Sequence, residues 1–323
     1  MRSQRTPLRI GTRGSALALW QTERVRALLH SAGHQTVAVQ IKTTGDLAAD
    51  APFARIGSRA IFTKQIDDAL LEGRIDLAVH SLKDLPTQLP DGITIAAVGS
   101  REDPRDALVG RTALRWSEIP HGGVIGTSSL RRRAQLLHAR PDLLVADLRG
   151  NVDTRLAKLD AHPEWAAIVL ATAGLVRLNL GHRIGERLPP ELMLPAPGQG
   201  ALAVTVRATD AEIATTVRQT VHDPVTAVPV AAERAFLHRL EGGCQVPIAA
   251  HAEASGSGGL RLHGRVISTR GDAMVEGHEI GRAADQDEAA ALGCILAERL
   301  LTEGAGTILA GARAAGTPAV SEP

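Results

Sequence analysis

The amino-acid sequence predicts an α/β protein with two doubly wound domains and a small α+β domain at the C-terminal end. Through about residue 220, short apolar runs alternate with helical patterns, which is typical of parallel or mixed sheets covered by helices. Two segments made largely of charged residues, proline and glycine, 101–106 and 195–200, interrupt that alternation. Beyond Thr220 the pattern changes to several strands followed by a helix.

The elements follow from the spacing of apolar residues, which is two in half-buried strands and three to four in helices. In the α/β part we expect strands at 8–10, 37–41, 77–80, 93–98, 124–125, 143–146, 168–171 and 202–206. Helices are expected between several of them, at 15–29, 64–71, 130–138 and 152–159. In such folds ligands bind beyond the carboxyl ends of the strands, where helices begin.

The segments 101–106 and 195–200 set the predicted domain boundaries. Strand 201–206 is expected to return to the first sheet, so we assign 1–101 plus 199–219 to domain 1 and 102–198 to domain 2. Domain 3, 220–323, is expected to hold an antiparallel sheet from 252–254, 260–267 and 274–280 and a helix at 287–301. The tail after Gly304 is rich in alanine and glycine and is expected to fray.

Composition excludes several classes of protein. The chain has 323 residues, 2% aromatic residues and a net charge of +1, which argues against nucleic-acid binding and against binding to a membrane surface. No apolar stretch approaches a membrane-spanning length. Two cysteines argue against a disulfide framework, and together these features predict a cytoplasmic protein.

Arginines occur where the predicted helices begin. The segment 126–133 reads GTSSLRRR, which places hydroxyl caps before a helix and Arg131 and Arg132 in its first turn. Cations there oppose the helix dipole by roughly 0.3–1 kcal/mol each, so we interpret the segment as a site for carboxylate or phosphate. An ordinary surface patch or a nucleic-acid footprint is the alternative.

The pattern recurs in other segments. Arg13 lies in the first strand-to-helix turn, and Arg149 and Arg155 follow strand 143–146. Arg55 and Arg59 flank a loop that we expect to be mobile. Several such arginines at one edge predict a ligand with many carboxylates.

A carboxylate stands among these cations. Lys83 and Asp84 follow strand 77–80, and in extended backbone they would point to opposite sides. Asp84 either pairs with a nearby arginine or stabilises a cationic intermediate. Two opposite unit charges about 4 Å apart, at an effective dielectric constant of about 20, attract each other by about 4 kcal/mol. If Asp84 stabilised a cationic transition state by that amount, the rate would rise by about three decades.

The two cysteines have different settings. Cys244 lies on a loop just after predicted helix 231–240, next to two glycines, which indicates that it is accessible to another group; a plain structural cysteine is the alternative. Cys294 lies within an apolar stripe and is expected to be buried. The cysteine and histidine spacings predict no metal site. His80 is expected in the core, and a Ser/His/Asp triad stays open although no Gly-x-Ser-x-Gly motif occurs.

Taken together, these segments resemble the porphobilinogen deaminase (hydroxymethylbilane synthase) family over residues 9 to 309. The matching motifs are TR at 12–13 with LALWQ at 17–21, HSLKD at 80–84, EDPRD at 102–106, GTSSLRR at 126–132, LRGNV at 148–152 with TRL at 154–156, PGQG at 197–200 and LEGGC at 240–244. The resemblance implies a dipyrromethane cofactor, made from two substrate molecules and bound to Cys244 by a thioether. Four porphobilinogen molecules are then added head to tail with loss of ammonia, and hydrolysis releases 1-hydroxymethylbilane.

The resemblance also implies roles for individual residues. Asp84 would be the catalytic residue, as the counter-charge to an electron-poor azafulvene and the proton acceptor at pyrrole N–H. The implied cofactor-binding residues are Cys244, Lys83, Asp84, Ser129, Arg131, Arg132, Arg149 and Arg155. The implied substrate-binding residues are Arg13, Arg149, Arg155, Arg177 and Gln199. The family fold implies two lobes like those of periplasmic binding proteins with a cleft between them, a monomer, and transfer of the product to the next pathway enzyme.

Some positions depart from the family pattern. Arg55 and Arg59 stand where many relatives have lysines, Ala60 replaces a frequent glycine, and Gln65 a frequent glutamate. Phe62 acts either as a gate or as a packing residue. Two rival interpretations are a two-lobed anion-binding protein without chemistry and an inactive relative. The combination of Asp84 and Cys244 favours the enzyme.

Overall fold

The computed structural model describes residues 6–43, 63–240, 246–256 and 259–316. The strands there are β1 (Leu8–Thr12), β2 (Thr36–Gln40), β3 (Leu77–Ser81), β4 (Ile93–Val98), β5 (Asp106–Val109), β6 (Val124–Gly126), β7 (Leu144–Ala146), β8 (Trp165–Ala171), β9 (Glu186–Arg187), β10 (Leu202–Arg207), β11 (Ile248–Ser255), β12 (Gly259–Ile267) and β13 (Met274–Arg282). The α-helices there are α1 (Ala16–Ser31), α2 (Lys64–Leu71), α3 (Leu130–Ala139), α4 (Val152–Ala161), α5 (Thr172–Arg177), α6 (Ala211–Val221), α7 (Pro224–Arg239), α8 (Gln286–Leu300) and α9 (Gly306–Gly316).

The first sheet has the strand order β2-β1-β3-β10-β4. β1 is parallel to β2 and β3, and β10 is antiparallel to β3 and β4. The predicted return of strand 201–206 to this sheet is therefore confirmed. Its apolar residues pack against α1 and α6, which contact each other, and Ile10, Leu77 and Val204 are fully buried in that core.

The second sheet has the order β7-β6-β8-β5-β9. β6 is parallel to its neighbours β7 and β8, and β5 is antiparallel to β8. The carboxyl ends of β6, β7 and β8 therefore lie at one edge of the sheet. The helices α3, α4 and α5 begin just after these three strands, as expected for a doubly wound domain.

The third sheet is antiparallel, in the order β11-β12-β13. Its apolar face packs against α7 and α8 around Phe236 and Leu296. A side chain at Gly264 would lie 2.5 Å from the Phe236 ring, so only glycine allows this close approach. With the two mixed sheets, this α+β part confirms the predicted fold class.

The described residues form two compact units, one of 6–43, 63–102 and 200–227 and one of 103–199 with the described part of 228–316. In the second unit, the C-terminal sheet contacts α3 through buried side chains. Arg265 Nη1 donates to Gln135 Oε1 at 2.8 Å, and Arg265 Nη2 donates to the Glu191 carbonyl at 3.0 Å. The C-terminal sheet therefore packs directly on the helix that begins with Arg131 and Arg132.

Two predictions for the C-terminal part are wrong. Cys294 is exposed. Leu292 and Leu296 of α8 face the core, and Cys294, two positions from each of them, lies on the opposite side of the helix. Residues 306–316 of the tail that was expected to fray form α9, in which Leu309 and Ala312 are buried. In the described part of the chain, no helix is long and apolar enough to span a bilayer.

Candidate active site

Three predicted site residues follow neighbouring strands of the first sheet. β1 and β3 are parallel and in register at Gly11 and Ala78, so their carboxyl ends meet at the same edge. Arg13 directly follows β1, whereas Lys83 and Asp84 follow β3 in a single 3₁₀ turn, Leu82–Asp84. Asp84 is exposed, and the other two are half-buried. The edge thus presents a carboxylate beside two cations.

The 3₁₀ turn is anchored at its first residue. The side chain of Leu82 is fully buried, and its N–H donates to the Ala201 carbonyl at 3.0 Å. The Leu85 N–H donates back to the Leu82 carbonyl at 3.1 Å, which closes the turn. The prediction that Lys83 and Asp84 lie in extended backbone is therefore wrong, because alternation of side chains requires a strand.

His80 lies in the core below this edge, as expected. Its Nε2 is 3.1 Å from Thr205 Oγ1 on β10. Burial, with a smaller contribution from the nearby Arg13 cation, lowers the pKa of His80 to about 4. The ring is therefore neutral at pH 7. Next to it, Gln21 Nε2 donates to Ser81 Oγ at 2.8 Å and ties α1 to the end of β3.

A separate set of predicted residues lies in the second unit, at the start of α3. Ser129 is the N-cap, and its Oγ accepts from the Arg132 N–H at 3.4 Å. The Ser129 N–H donates to Thr127 Oγ1 at 3.2 Å. The predicted hydroxyl caps are therefore confirmed, and they fix the first turn that contains Arg131 and Arg132.

Both arginines turn inward to a buried carboxylate. Arg132 Nε and Nη2 donate to Asp106 Oδ1 at 3.0 and 2.7 Å, and Arg131 Nη1 lies 2.8 Å from Asp106 Oδ2. Each arginine is 6% exposed and Asp106 is fully buried. Burial lowers the pKa of Arg131, and the Asp106 charge opposes that shift.

Sequence reasoning missed the role of Asp106. It is the first residue of β5 and lies opposite Ala171, the last residue of β8, because these strands are antiparallel. That pairing brings it to the carboxyl edge of the parallel strands. The available signal was the last aspartate of the EDPRD motif at 102–106, which the apolar residues 107–109 follow directly.

Arg149 and Arg155 lie at the adjacent strand-to-helix turn, and both are half-buried. Gly150 between them has φ +110°, a conformation that favours glycine. Its carbonyl accepts from Arg155 Nε at 2.8 Å, and Asn151 caps α4 by accepting from the Thr154 N–H at 2.9 Å. The turn therefore fixes the guanidinium of Arg155 at its Nε end.

The other predicted residues have different settings. Arg177 ends α5 and is 6% exposed. Gln199 is fully buried, and its Nε2 donates to the Pro104 carbonyl at 2.7 Å and to Asp106 Oδ1 at 3.0 Å. The remaining predicted site residues lie outside the described part of the chain: Arg55, Arg59, Phe62 and Cys244.

The donors at the carboxyl edge of the second sheet fit a ligand with several carboxylates. Ser129, Arg131 and Arg132 follow β6, Arg149 and Arg155 follow β7, and Arg177 ends the helix after β8. Guanidinium groups form bidentate, charge-assisted hydrogen bonds with carboxylates. Among the described residues, no group of three or more His, Cys, Asp or Glu side chains could hold a metal ion.

Comparisons with known proteins identify the family that this chain is similar to. A family model described as porphobilinogen deaminase, dipyromethane cofactor binding domain, matches residues 8–215, and one described as porphobilinogen deaminase, C-terminal domain, matches 227–302. The porphobilinogen deaminase of Syntrophotalea carbinolica is 48% identical, covering 97% of this chain and 98% of that protein. That of Rubrobacter xylanophilus is 49% identical, covering 93% and 95%. Among solved structures, a periplasmic substrate-binding protein of an ABC transporter from Coxiella burnetii matches with a TM-score of 0.43 and 15% identity, over 70% of this chain and 96% of that chain.

Proposed function

The chain belongs to the porphobilinogen deaminase family, and from this premise we propose that Asp84 is its catalytic carboxylate and Cys244 the anchor of its cofactor. The chain is a transferase of tetrapyrrole biosynthesis. It condenses four porphobilinogen molecules head to tail onto a dipyrromethane primer, with release of ammonia and then of 1-hydroxymethylbilane. The observation that best supports the proposed function is the set of arginines at the carboxyl edge of β6, β7 and β8, which fits a ligand with several carboxylates.

The proposal assigns the cationic residues to the carboxylates of the cofactor and the growing chain. Ser129, Arg131 and Arg132 bind the cofactor, together with Lys83. Arg149 and Arg155 bind both cofactor and substrate, and Arg13, Arg177 and Gln199 bind substrate. Bound dipyrromethane supplies the pyrrole carbon to which the first substrate unit is joined, and its side chains supply the carboxylates that these cations recognise.

Asp84 has a separate role in the proposal. Its exposed carboxylate stabilises positive charge on the reacting pyrrole and takes up a proton from the pyrrole N–H. The anchored 3₁₀ turn holds this carboxylate at the edge of the first sheet. Neutral His80 below the turn adds no competing cation.

Several further properties belong to the same proposal. The cofactor is held by a thioether at Cys244, and the enzyme is a cytoplasmic monomer that hands its product to the next pathway enzyme. The low cysteine count supports the cytoplasmic location.

Domain boundaries at 101/102, 198/199 and 219/220 are supported by the pairing of β10 with β3 and β4 and by the separate third sheet. Arg55 and Arg59 keep positive charge on the loop before Phe62, whose role is either gating or packing.

The deciding experiment is the intact mass of the purified protein under denaturing conditions. We expect an increment matching two condensed porphobilinogen units, its absence in Cys244→Ser and its retention in Cys294→Ser. Cys294 is the matched control because it is the other cysteine and is exposed on α8. If the increment survived in Cys244→Ser, the anchor assignment would be wrong. If porphobilinogen incubation left the wild-type mass unchanged and gave no product, the proposed function would be wrong.

A further inference from the structure

Three buried charges meet at the start of α3. Arg131, Arg132 and Asp106 together carry one net positive charge, and among the described residues Asp106 is the carboxylate that contacts both guanidiniums. An uncompensated buried cation is costly, so this cluster favours the uptake of one anion. A guanidinium has five N–H donors, which leaves donors on both arginines for a ligand carboxylate.

Asp106 also determines where the two guanidiniums lie. Arg132 is fixed between Asp106 Oδ1 and the Val169 carbonyl, to which its Nη1 donates at 3.0 Å. Arg131 is fixed between Asp106 Oδ2 and the Leu194 carbonyl, to which its Nη1 donates at 2.7 Å. Each arginine therefore has one carbonyl partner of its own, and the carboxylate is the partner that they share.

The Asp106 carboxylate also contacts segment 195–200, the second predicted domain boundary, which we call the crossover segment. Gln199 Nε2 donates to Asp106 Oδ1 at 3.0 Å, the oxygen that also accepts from Arg132. The Gln199 N–H donates to the Ala196 carbonyl at 2.9 Å, which makes the segment a closed turn. Asp106 thus joins the crossover segment to the arginine pair.

We propose that Asp106 is a positioning residue, which holds Arg131 and Arg132 in the orientation that receives one carboxylate of the dipyrromethane cofactor. The inference rests on the proposed function and adds to it a residue that need not touch the cofactor. A merely structural aspartate would change the amount of folded protein but not the loading or turnover of each folded molecule.

The test uses Asp106→Asn, which keeps the shape but removes the charge and places an N–H₂ group toward one of the arginines. Asp142→Asn is the matched control, because Asp142 pairs with Arg140 beyond the other end of α3. Apo protein is incubated with porphobilinogen, and the covalently loaded fraction is followed by intact mass. We expect loading of Asp106→Asn to slow by at least ~10-fold, as for the loss of a charge-assisted hydrogen bond, and loading of Asp142→Asn to match the wild type.

Two further readouts separate positioning from stability. On the loaded fraction, we expect kcat of Asp106→Asn to fall at least ~10-fold with KM within about threefold, because the arginine pair holds the cofactor. In a cycle with Arg132→Lys, we expect the double variant to load about as slowly as the slower single variant, because Asp106 acts through the arginines. The inference would be overturned if Asp106→Asn loaded at the wild-type rate. It would also be overturned if the effects of Asp106→Asn and Arg132→Lys on loading were fully additive.

A third variant covers a folding defect. If Asp106→Asn does not accumulate as folded protein, Asp106→Glu keeps the charge and displaces the carboxylate by one methylene. Slow loading of folded Asp106→Glu supports positioning, whereas wild-type loading, or failure of both variants to fold, shows that Asp106 only stabilises the domain. Wild-type protein that neither loads nor forms product would instead contradict the proposed function.

Discussion

The N–H of Leu148 donates to Ser128 Oγ at 2.9 Å, across twenty residues of sequence. Ser128 lies in the turn after β6, and Leu148 in the turn after β7. Because β6 and β7 are adjacent and parallel, this bond fastens the turn that leads to Arg131 to the turn that contains Arg149. The two arginine-bearing turns thus form one connected surface.

Asp84→Asn should keep the fold and the covalent cofactor but lose turnover. The exposed carboxylate contributes little to packing, whereas its charge is worth about 4 kcal/mol to a cationic transition state, or about three decades of rate. The measurements are intact mass and the rate of product formation. Asp91→Asn, an exposed aspartate in the turn before β4, is the control. Full activity of Asp84→Asn would remove this residue from the mechanism.

Arg155→Ala should lower kcat/KM for porphobilinogen, whereas Lys158→Ala on the same helix should leave it unchanged. Loss of a charge-assisted hydrogen bond costs about 1.5–3 kcal/mol, which predicts a decrease in kcat/KM of about 10- to 150-fold. Steady-state kinetics on fully loaded enzyme give this ratio. Equal effects of the two substitutions would indicate a general loss of charge instead of a specific site.

Gly150→Ala should destabilise the second unit. Gly150 has φ +110°, and an added Cβ would lie 2.6 Å from Thr154 Cγ2, so both backbone strain and a clash are expected. The free energy of unfolding should fall by about 1–3 kcal/mol. Denaturant titration measures it, with Gly181→Ala as the control because a Cβ at Gly181 would meet open space. Equal stability of the two variants would contradict the prediction.

His80 should make the first unit sensitive to acid. Its pKa is lowered from the ordinary 6.5 to about 4, chiefly by burial, so the unfolded chain binds a proton more readily than the folded one. Stability is thus retained above pH 6.5 and lost as the pH falls from 6.5 toward 4, by about 3 kcal/mol at most. His263, whose pKa is also lowered to about 4, chiefly by burial and then by His278, adds a smaller loss of the same sign in the C-terminal sheet.

The measurement is Tm across that pH range. His80→Gln should flatten the acid side of the profile relative to wild type, whereas His182→Gln, at an exposed position, should follow the wild type. A parallel profile for His80→Gln would mean that His80 does not couple protonation to unfolding.

Sequence reasoning located the arginines but not the direction in which two of them point. A pattern of three arginines after GTSS predicts a cationic helix start whether the side chains face solvent or the core. Arg131 and Arg132 are buried because β5 runs antiparallel to β8 and brings Asp106 to the same edge. The exposure of Cys294 was missed for a related reason, since an alanine-rich helix does not define its buried face from sequence alone.

What the sequence determined by itself was local: most of the strands and helices, the Ser129 cap, the α/β class and the family motifs, whereas β5, β9, α5, α6 and α9 were not predicted. These depend on residue spacing and on backbone chemistry within a few residues. Only the tertiary structure decided which distant groups meet, such as Asp106 with Arg132 and Gln199, and β10 with β3 and β4. The physical reason is that strand direction and order bring together charges far apart in the chain, and burial then makes their pairing necessary.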